Sequence, residues 1–320
     1  MFEKARSGRR TDLPREETLA MSQNLDAPVA TGRSIPGDVP RLWNPRRLSR
    51  TMGTEIDGID LAVPLSDAAM ADIQTAFLAH HLLVFRRQAL DADQIQRFAE
   101  RFGPIEGHIV QRPDGAVLSG VHAVTNLDAD GKPSKKPHIN ANYYWHSDKS
   151  YYPTPALLTM LYSVELPPNG GETEFANMQM AYDALPDATK QRIDGLQVEN
   201  DFEYAMTNAG KTLTEAEVRA APPVVHPLVR AHPETGRKSL FVGMYSKSII
   251  GLPEAEGRAL IKSLLDHASG PDFTFSHRWQ VGDLVVWDNR CLNHRAVANY
   301  EMAAFRRVLL RCVVKGKLAS

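Results

Sequence analysis

The sequence predicts a mainly β domain with flanking helices, a sandwich or barrel buttressed by a helical scaffold. Short apolar runs recur between Gly, Pro, Asn and Asp turns over most of the chain, the pattern of many short strands. Amphipathic helical patterns gather early, ahead of most of those strands. The length of 320 residues lies at the upper end for one large β domain, and no internal repeat or low-complexity tract divides it.

Composition narrows the functional class. A net charge of -1 argues against bulk nucleic-acid binding. No run of 18 apolar residues exists, so no membrane span is expected. The first 25 residues are polar and lack the apolar core of a signal peptide. Cys291 and Cys312 sit among apolar neighbours and read as buried, reduced thiols of a cytoplasmic protein.

Residues 1–40 carry Arg, Ser, Pro, Gly and Asp with little periodicity, which predicts a disordered tail before a single domain over 41–316. Order begins near Leu42. Ser66 caps a helix whose apolar positions Met70, Ile73 and Phe77 follow three-four spacing. Leu82 to Phe85 is a short buried strand. Asp91 caps a second helix with Ile95, Phe98 and Phe102 on one face, stopped by Gly103. From Val121 the pattern turns to strands: His122 to Leu127, Leu157 to Val164 and, after the turn Pro167-Pro168-Asn169-Gly170-Gly171, Glu172 to Phe175. A helix follows near Met180 to Leu185, and 187–222 reads as an insertion between core strands. Val224 to Arg230 and Ser239 to Val242 flank a hairpin turn at Pro233 to Gly236. Pro253 opens a helix closed by Gly270. Val281-Gly282-Asp283 turns into Leu284 to Trp287, and Val308 to Val314 is the last strand.

The chemistry gathers at Tyr143-Tyr144-Trp145-His146-Ser147-Asp148. In extended backbone residues i and i+2 share a face, so an imidazole and a carboxylate converge there. With His294, from Leu292-Asn293-His294-Arg295, they make two imidazoles and one carboxylate. That is the facial triad of non-haem Fe(II), which leaves coordination positions open. The pattern is cheap by itself: eleven histidines give about one His-x-acid by chance. His232-Pro233-Glu234 also fits, but inside a hairpin turn, and reads as loop. Trp145 and the tyrosines before it are expected to wall an apolar pocket around the pair.

Arg306, Arg307 and Arg311 follow His294. Arg307 and Arg311 share a strand face and Arg306 points away. Inward guanidinium groups need anionic partners, either the chain's own acids or a carboxylate ligand bound through two parallel hydrogen bonds. A dicarboxylate would explain the set, one end chelating iron and the other meeting an arginine and the Thr173 hydroxyl.

Over residues 42–315 the chain resembles the taurine dioxygenase family of Fe(II)/2-oxoglutarate-dependent oxygenases, nearest its 2,4-dichlorophenoxyacetate branch. The likeness rests on Leu83-Val84-Phe85-Arg86, Arg101-Phe102-Gly103-Pro104, Trp145-His146-Ser147-Asp148, the Pro167 to Phe175 stretch, Ala181 to Pro186, Gly236 to Phe241 and His277 to Cys291. It implies a double-stranded β-helix (jelly-roll) core. It implies that His146, Asp148 and His294 hold Fe(2+), that Thr173 and Arg307 bind the distal carboxylate of 2-oxoglutarate, and that O2 is the second co-substrate. Arg311, Asn142 and His108 would face the substrate, Arg311 alternatively helping to hold 2-oxoglutarate. The gap from His294 to the arginines is a residue or two longer than in the family, which leaves Arg306 beside Arg307 for that role; the shared face favours Arg307. The sequence does not give the oligomeric state; family members are often dimers or tetramers, so the analogy leaves a homo-oligomer open, acting on a small anionic molecule with no nucleic-acid or membrane partner expected.

The resemblance implies hydroxylation coupled to release of succinate and CO2. The favoured substrate is an aryloxyalkanoate, cleaved to a phenol and an oxo acid; the alternative is taurine or another alkylsulfonate, releasing sulfite. Specificity is expected in loops 105–118, 136–144 and 200–222, with Tyr143, Tyr144 and Tyr151 as pocket or outer-core residues. A jelly-roll binder of small acids without turnover is the competing class. A structural zinc site would favour four closed ligands, often cysteine, and neither cysteine has that spacing.

Overall fold

The computed structural model describes residues 44–112, 115–135 and 141–316, with the side chains of 44 and 108–119 left out. The tail expected over residues 1–40 lies outside the described residues.

Strands β1 (Asn44–Arg47) and β2 (Thr54–Asp57) pair antiparallel. Helix α1 (Asp67–His80) starts where the sequence places it: the Ser66 side chain accepts from the Ala69 N–H, and Met70, Ile73 and Phe77 are buried on one face. It ends at His81, whose left-handed backbone (φ 63°) lets its N–H close on the Phe77 carbonyl. Strand β3 (Leu82–Phe85) is buried on both faces, as its unbroken apolar run requires. Helix α2 (Ala92–Glu100) opens on a reciprocal capping box between Asp91 and Gln94. It stops short of Phe102, which still packs edge-to-face on Phe98 and Phe77 from the turn beyond.

A hairpin of β4 (His108–Arg112) and β5 (Gly115–Ser119) leads to β6 (Val121–Thr125), then β7 (Ala156–Glu165) and β8 (Thr173–Asn177). Helices α3 (Met178–Asp183) and α4 (Asp187–Ile193) precede β9 (Gln197–Asn200), α5 (Phe202–Asn208) and α6 (Glu215–Ala220). The stretch expected as one strand over Val224 to Arg230 divides at Leu228 into β10 (Val224–Pro227) and β11 (Val229–Ala231), which belong to different sheets. Strand β11 makes the expected hairpin with β12 (Lys238–Leu240). Then come β13 (Ser246–Ile249), α7 (Glu254–Ala268), β14 (Thr274–His277), β15 (Leu284–Asp288), β16 (Leu292–Ala296) and β17 (Val308–Lys315).

The large sheet runs β1-β2-β3-β15-β7-β17-β6, and a smaller one runs β14-β8-β16. Side-chain alternation divides the large sheet's residues between two cores. Leu83, Phe85, Leu284 and Val286 pack against α1 and α2 through Ile73, Phe77, Ile95 and Phe98. Leu82, Val84, Val285 and Trp287 point the other way and meet Phe175 and Leu292 of the smaller sheet. Two mainly antiparallel sheets, with one parallel pair between β2 and β3, close over a shared core to form the jelly roll, and α1 and α2 buttress one face. The insertion supplies β9, the middle strand of a third sheet, β10-β9-β13. Val198 and Ile249 of that sheet pack with Leu260, Ile261 and Leu264 of α7.

His81 carries a consequence for acid stability. It is 4% exposed, and burial pushes its imidazole pKa down to about 4. Above the ordinary value near 6.5 both folded and unfolded chains hold it neutral. As pH falls from there to about 4 only the unfolded chain takes up the proton. Stability is therefore lost on the way down, by about 3 kcal/mol from this group. His81→Asn tolerates the left-handed backbone. In urea unfolding at pH 7 and pH 4, it is expected to lose about that much less stability across the interval than the wild type; equal losses would remove His81 as the cause.

Candidate active site

His294 stands at the centre of β16, opposite Phe175 of β8. His146 joins it from the loop before β7 through a two-residue bridge: the His146 N–H donates to the His294 carbonyl at 3.1 Å and the reverse bond is 2.8 Å. Backbone pairing thus brings the two imidazoles together, their rings centred 4.2 Å apart. Asp148 completes the group, its carboxylate oxygens 3.8 Å from His146 Nε2 and 3.7 Å from His294 Nε2. All three are buried, and one nitrogen or oxygen from each lies within 4.8 Å of the others.

Protonation suits metal ligation. His146 Nδ1 lies 2.7 Å from the Tyr144 carbonyl, which can only accept, so Nδ1 carries the proton and the Nε2 lone pair faces the cluster. Burial holds both imidazoles below their ordinary pKa, His294 furthest. Burial alone would raise Asp148. The Arg311 guanidinium and the two imidazoles overcome it and hold the carboxyl well below its usual range. Two neutral imidazoles and a carboxylate with open space beside them fit a divalent first-row cation.

Asp148 is held by residues that the sequence reading did not assign. Thr159, on β7, donates to its Oδ2, and Asn289 donates from Nδ2 to Thr159 Oγ1 at 2.9 Å. Asn289 Oδ1 also accepts the Asp148 N–H at 3.2 Å, and Ser147 donates to the Asn289 carbonyl at 2.7 Å. The only sequence signal was a threonine inside an apolar strand, where a buried hydroxyl needs a partner.

A cavity of about 760 Å³, its open mouth included, reaches the group. Asn142, Tyr143, Thr173, Arg307 and Arg311 line it, with Val124, Leu161, Trp287, Val297 and Tyr300. Arg311 pairs with Asp148, so one of the partners left open for it, the chain's own acid, is the one it holds. Arg306 points out to solvent and pairs with Glu165. Arg307 faces in. Its Nε donates to the Gly171 carbonyl at 3.2 Å, and it makes no ion pair among the described residues. Burial lowers its pKa, the mark of a desolvated cation short of an anion. Gly171 lies at φ 73°, and a Cβ there would come 3.2 Å from Arg307 Nε, so the turn needs glycine. Asn126 fixes the approach to Arg307: it donates to the Met302 and Phe305 carbonyls at 2.8 Å each and accepts the Arg307 N–H at 2.8 Å.

Trp145 and Tyr144, both expected to wall the pocket, meet a different placement. Trp145 does not wall the cavity. Alternation turns it opposite His146, into the core around Ala176 and Leu240, with Arg295 stacked on its ring at 4.7 Å. Tyr144 is exposed, and Tyr151 joins Phe202 and Tyr245 in a neighbouring aromatic cluster. His108 lies on β4 with its side chain outside the described residues. His232, in its hairpin turn, is buried and faces Asp288 at 3.0 Å. A second group of metal-type donors, His81, Asp288 and Cys291, adjoins that pair. Arg290 occupies both Asp288 oxygens, and none of these residues lines the cavity, so this is an internal ion-pair network. Both cysteines are free and buried, and burial pushes the Cys312 thiol up to about 12. Among the described residues no helix is long and apolar enough to cross a membrane.

Known proteins share both the sequence pattern and the fold around this site. The family described as "Taurine catabolism dioxygenase TauD, TfdA family" matches residues 44–313. The chain is 40% identical over 272 residues to the alpha-ketoglutarate-dependent 2,4-dichlorophenoxyacetate dioxygenase of Burkholderia sp. (strain RASC), covering 82% of this chain and 91% of that one. It is 36% identical over 284 residues to the (S)-phenoxypropionate/alpha-ketoglutarate-dioxygenase of Sphingobium herbicidovorans, covering 85% and 95%. Among solved structures, AAD-2 in complex with Mn(II) and N-oxalylglycine superposes with a TM-score of 0.78 at 35% identity, covering 87% of this chain and 99% of that one. The chain therefore belongs to the TauD/TfdA family of dioxygenases.

Proposed function

We propose that this protein is an Fe(II)- and 2-oxoglutarate-dependent dioxygenase that hydroxylates aryloxyalkanoates beside the ether oxygen. The observation that carries the reading is one cavity holding both the His146–Asp148–His294 group and an Arg307 guanidinium with no ion pair among the described residues. Iron at that group, with 2-oxoglutarate and O2, supplies oxidative decarboxylation to succinate and CO2 coupled to hydroxylation of a substrate C–H bond. His146, Asp148 and His294 hold the metal. Arg307 and Thr173 hold the distal carboxylate of 2-oxoglutarate, and burial strengthens that pairing. Arg311 and Asn142 face the substrate, Arg311 exchanging part of its contact with Asp148 for the substrate's carboxylate. The apolar wall of Val124, Leu161 and Val297 excludes water from the reacting carbon. Hydroxylation next to an ether oxygen gives a hemiacetal, which collapses to a phenol and an oxo acid.

Relatives 36–40% identical that carry the names of 2,4-dichlorophenoxyacetate and phenoxypropionate dioxygenases support this substrate class. The family's description includes taurine catabolism, so an alkylsulfonate is the second reading. A panel of phenoxyacetates, phenoxypropionates, taurine and alkylsulfonates separates them. Phenol released in proportion to succinate is the expected result. Sulfite release would transfer the assignment to sulfonates, and succinate formation that no panel member stimulates would overturn both substrate readings.

A further inference from the structure

We infer that Trp279 is a positioning residue for 2-oxoglutarate, acting through the direction of the Thr173 hydroxyl. The inference rests on the reading that Thr173 and Arg307 receive the distal carboxylate. The Trp279 indole N–H donates to Thr173 Oγ1 at 3.1 Å. An indole can donate and cannot accept, whereas a threonine hydroxyl can do both. The contact therefore occupies an acceptor position on Oγ1 and turns the hydroxyl's single hydrogen elsewhere. Among the described residues no protein acceptor takes that hydrogen. Thr173 is 3% exposed and borders the cavity beside Arg307. A carboxylate can only accept. A hydroxyl whose hydrogen is aimed into the cavity is ready to donate to it, and one already accepting from an N–H is the stronger donor.

The indole is itself held in place. His277 packs edge-on against it, ring centres 4.7 Å apart, and His277 Nε2 lies 3.2 Å from the buried Asp283, which pairs with Arg86. His277 is also the strand partner of Thr173 across β14 and β8, which brings Trp279, two residues past the end of β14, beside the acceptor. Trp279 does not itself line the cavity, so its effect on the ligand is carried by that one hydrogen bond.

The test is a double-mutant cycle read by calorimetry, titrating 2-oxoglutarate and, separately, N-oxalylglycine into the Mn(II)-loaded full chain. Trp279→Phe is expected to weaken binding about fivefold and Thr173→Val at least about tenfold. In the Thr173→Val background Trp279→Phe is expected to have no further effect, because the hydroxyl it acts through is gone. In the Thr173→Ser background, which keeps a hydroxyl, the Trp279→Phe effect should persist. An equal loss from Trp279→Phe in the wild-type and Thr173→Val backgrounds would mean that the indole acts by packing, and no loss in either would remove it from the site. If Thr173→Val alone leaves affinity unchanged, the placement of the distal carboxylate fails first and the inference falls with it. Thermal unfolding of the metal-free Trp279→Phe protein separates loss of fold from loss of positioning.

Discussion

His294→Ala is expected to abolish stoichiometric Fe(II) binding and to lower 2-oxoglutarate turnover at least about a hundredfold, since even partners behind the ligands typically cost about 10- to 100-fold. The variant leaves one imidazole and one carboxylate. Its fold should survive, because the bridge between residues 146 and 294 is made by backbone atoms and Asp148 keeps Arg311 and Thr159. Asp148→Ala is the less clean probe. It leaves the Arg311 cation without its partner, a defect worth about 3–5 kcal/mol when a buried pair is broken from one side. Iron content after anaerobic loading, alongside thermal unfolding of the metal-free protein, checks both expectations. His294→Ala retaining stoichiometric iron would move the metal elsewhere.

Arg307→Ala is expected to weaken 2-oxoglutarate binding about a hundredfold or more, the scale for removing a desolvated cation from a bound carboxylate. Stability should move little or even improve in the free protein, because the change removes a desolvated charge that has no ion pair among the described residues. Arg306→Ala is the control. Its pair with Glu165 is solvent-exposed, so affinity should stay within about twofold of the wild type. Calorimetry on the Mn(II)-loaded wild type and both variants reads the comparison, and a larger loss for Arg306→Ala than for Arg307→Ala would exchange their roles.

Features set by local pattern are legible in the sequence. Ser66 and Asp91 announced their helices because a cap is a short-range event. The facing of Arg307 against Arg306 followed from strand alternation. The same alternation turns Trp145 away from His146, since neighbours in extended backbone face opposite ways, and sequence adjacency to the site does not place a side chain in it. Strand β16 passed unseen because Leu292 to Ala296 is half polar, and its residues are held by pairing with β8 rather than by their own propensity. The contacts of Thr159, Asn289 and Trp279 were out of reach for another reason. Each is a hydrogen bond between residues far apart in the chain, and neither partner's position implies the other's.

The most direct test of the account is succinate formation from 2-oxoglutarate by protein loaded anaerobically with Fe(II) and then exposed to O2, with and without a phenoxyacetate. The account predicts succinate only when iron is present, in amounts matching the 2-oxoglutarate consumed, and faster with the phenoxyacetate. Iron and 2-oxoglutarate both bound, with no succinate formed, would contradict it and leave a jelly-roll protein that binds small acids without turning them over.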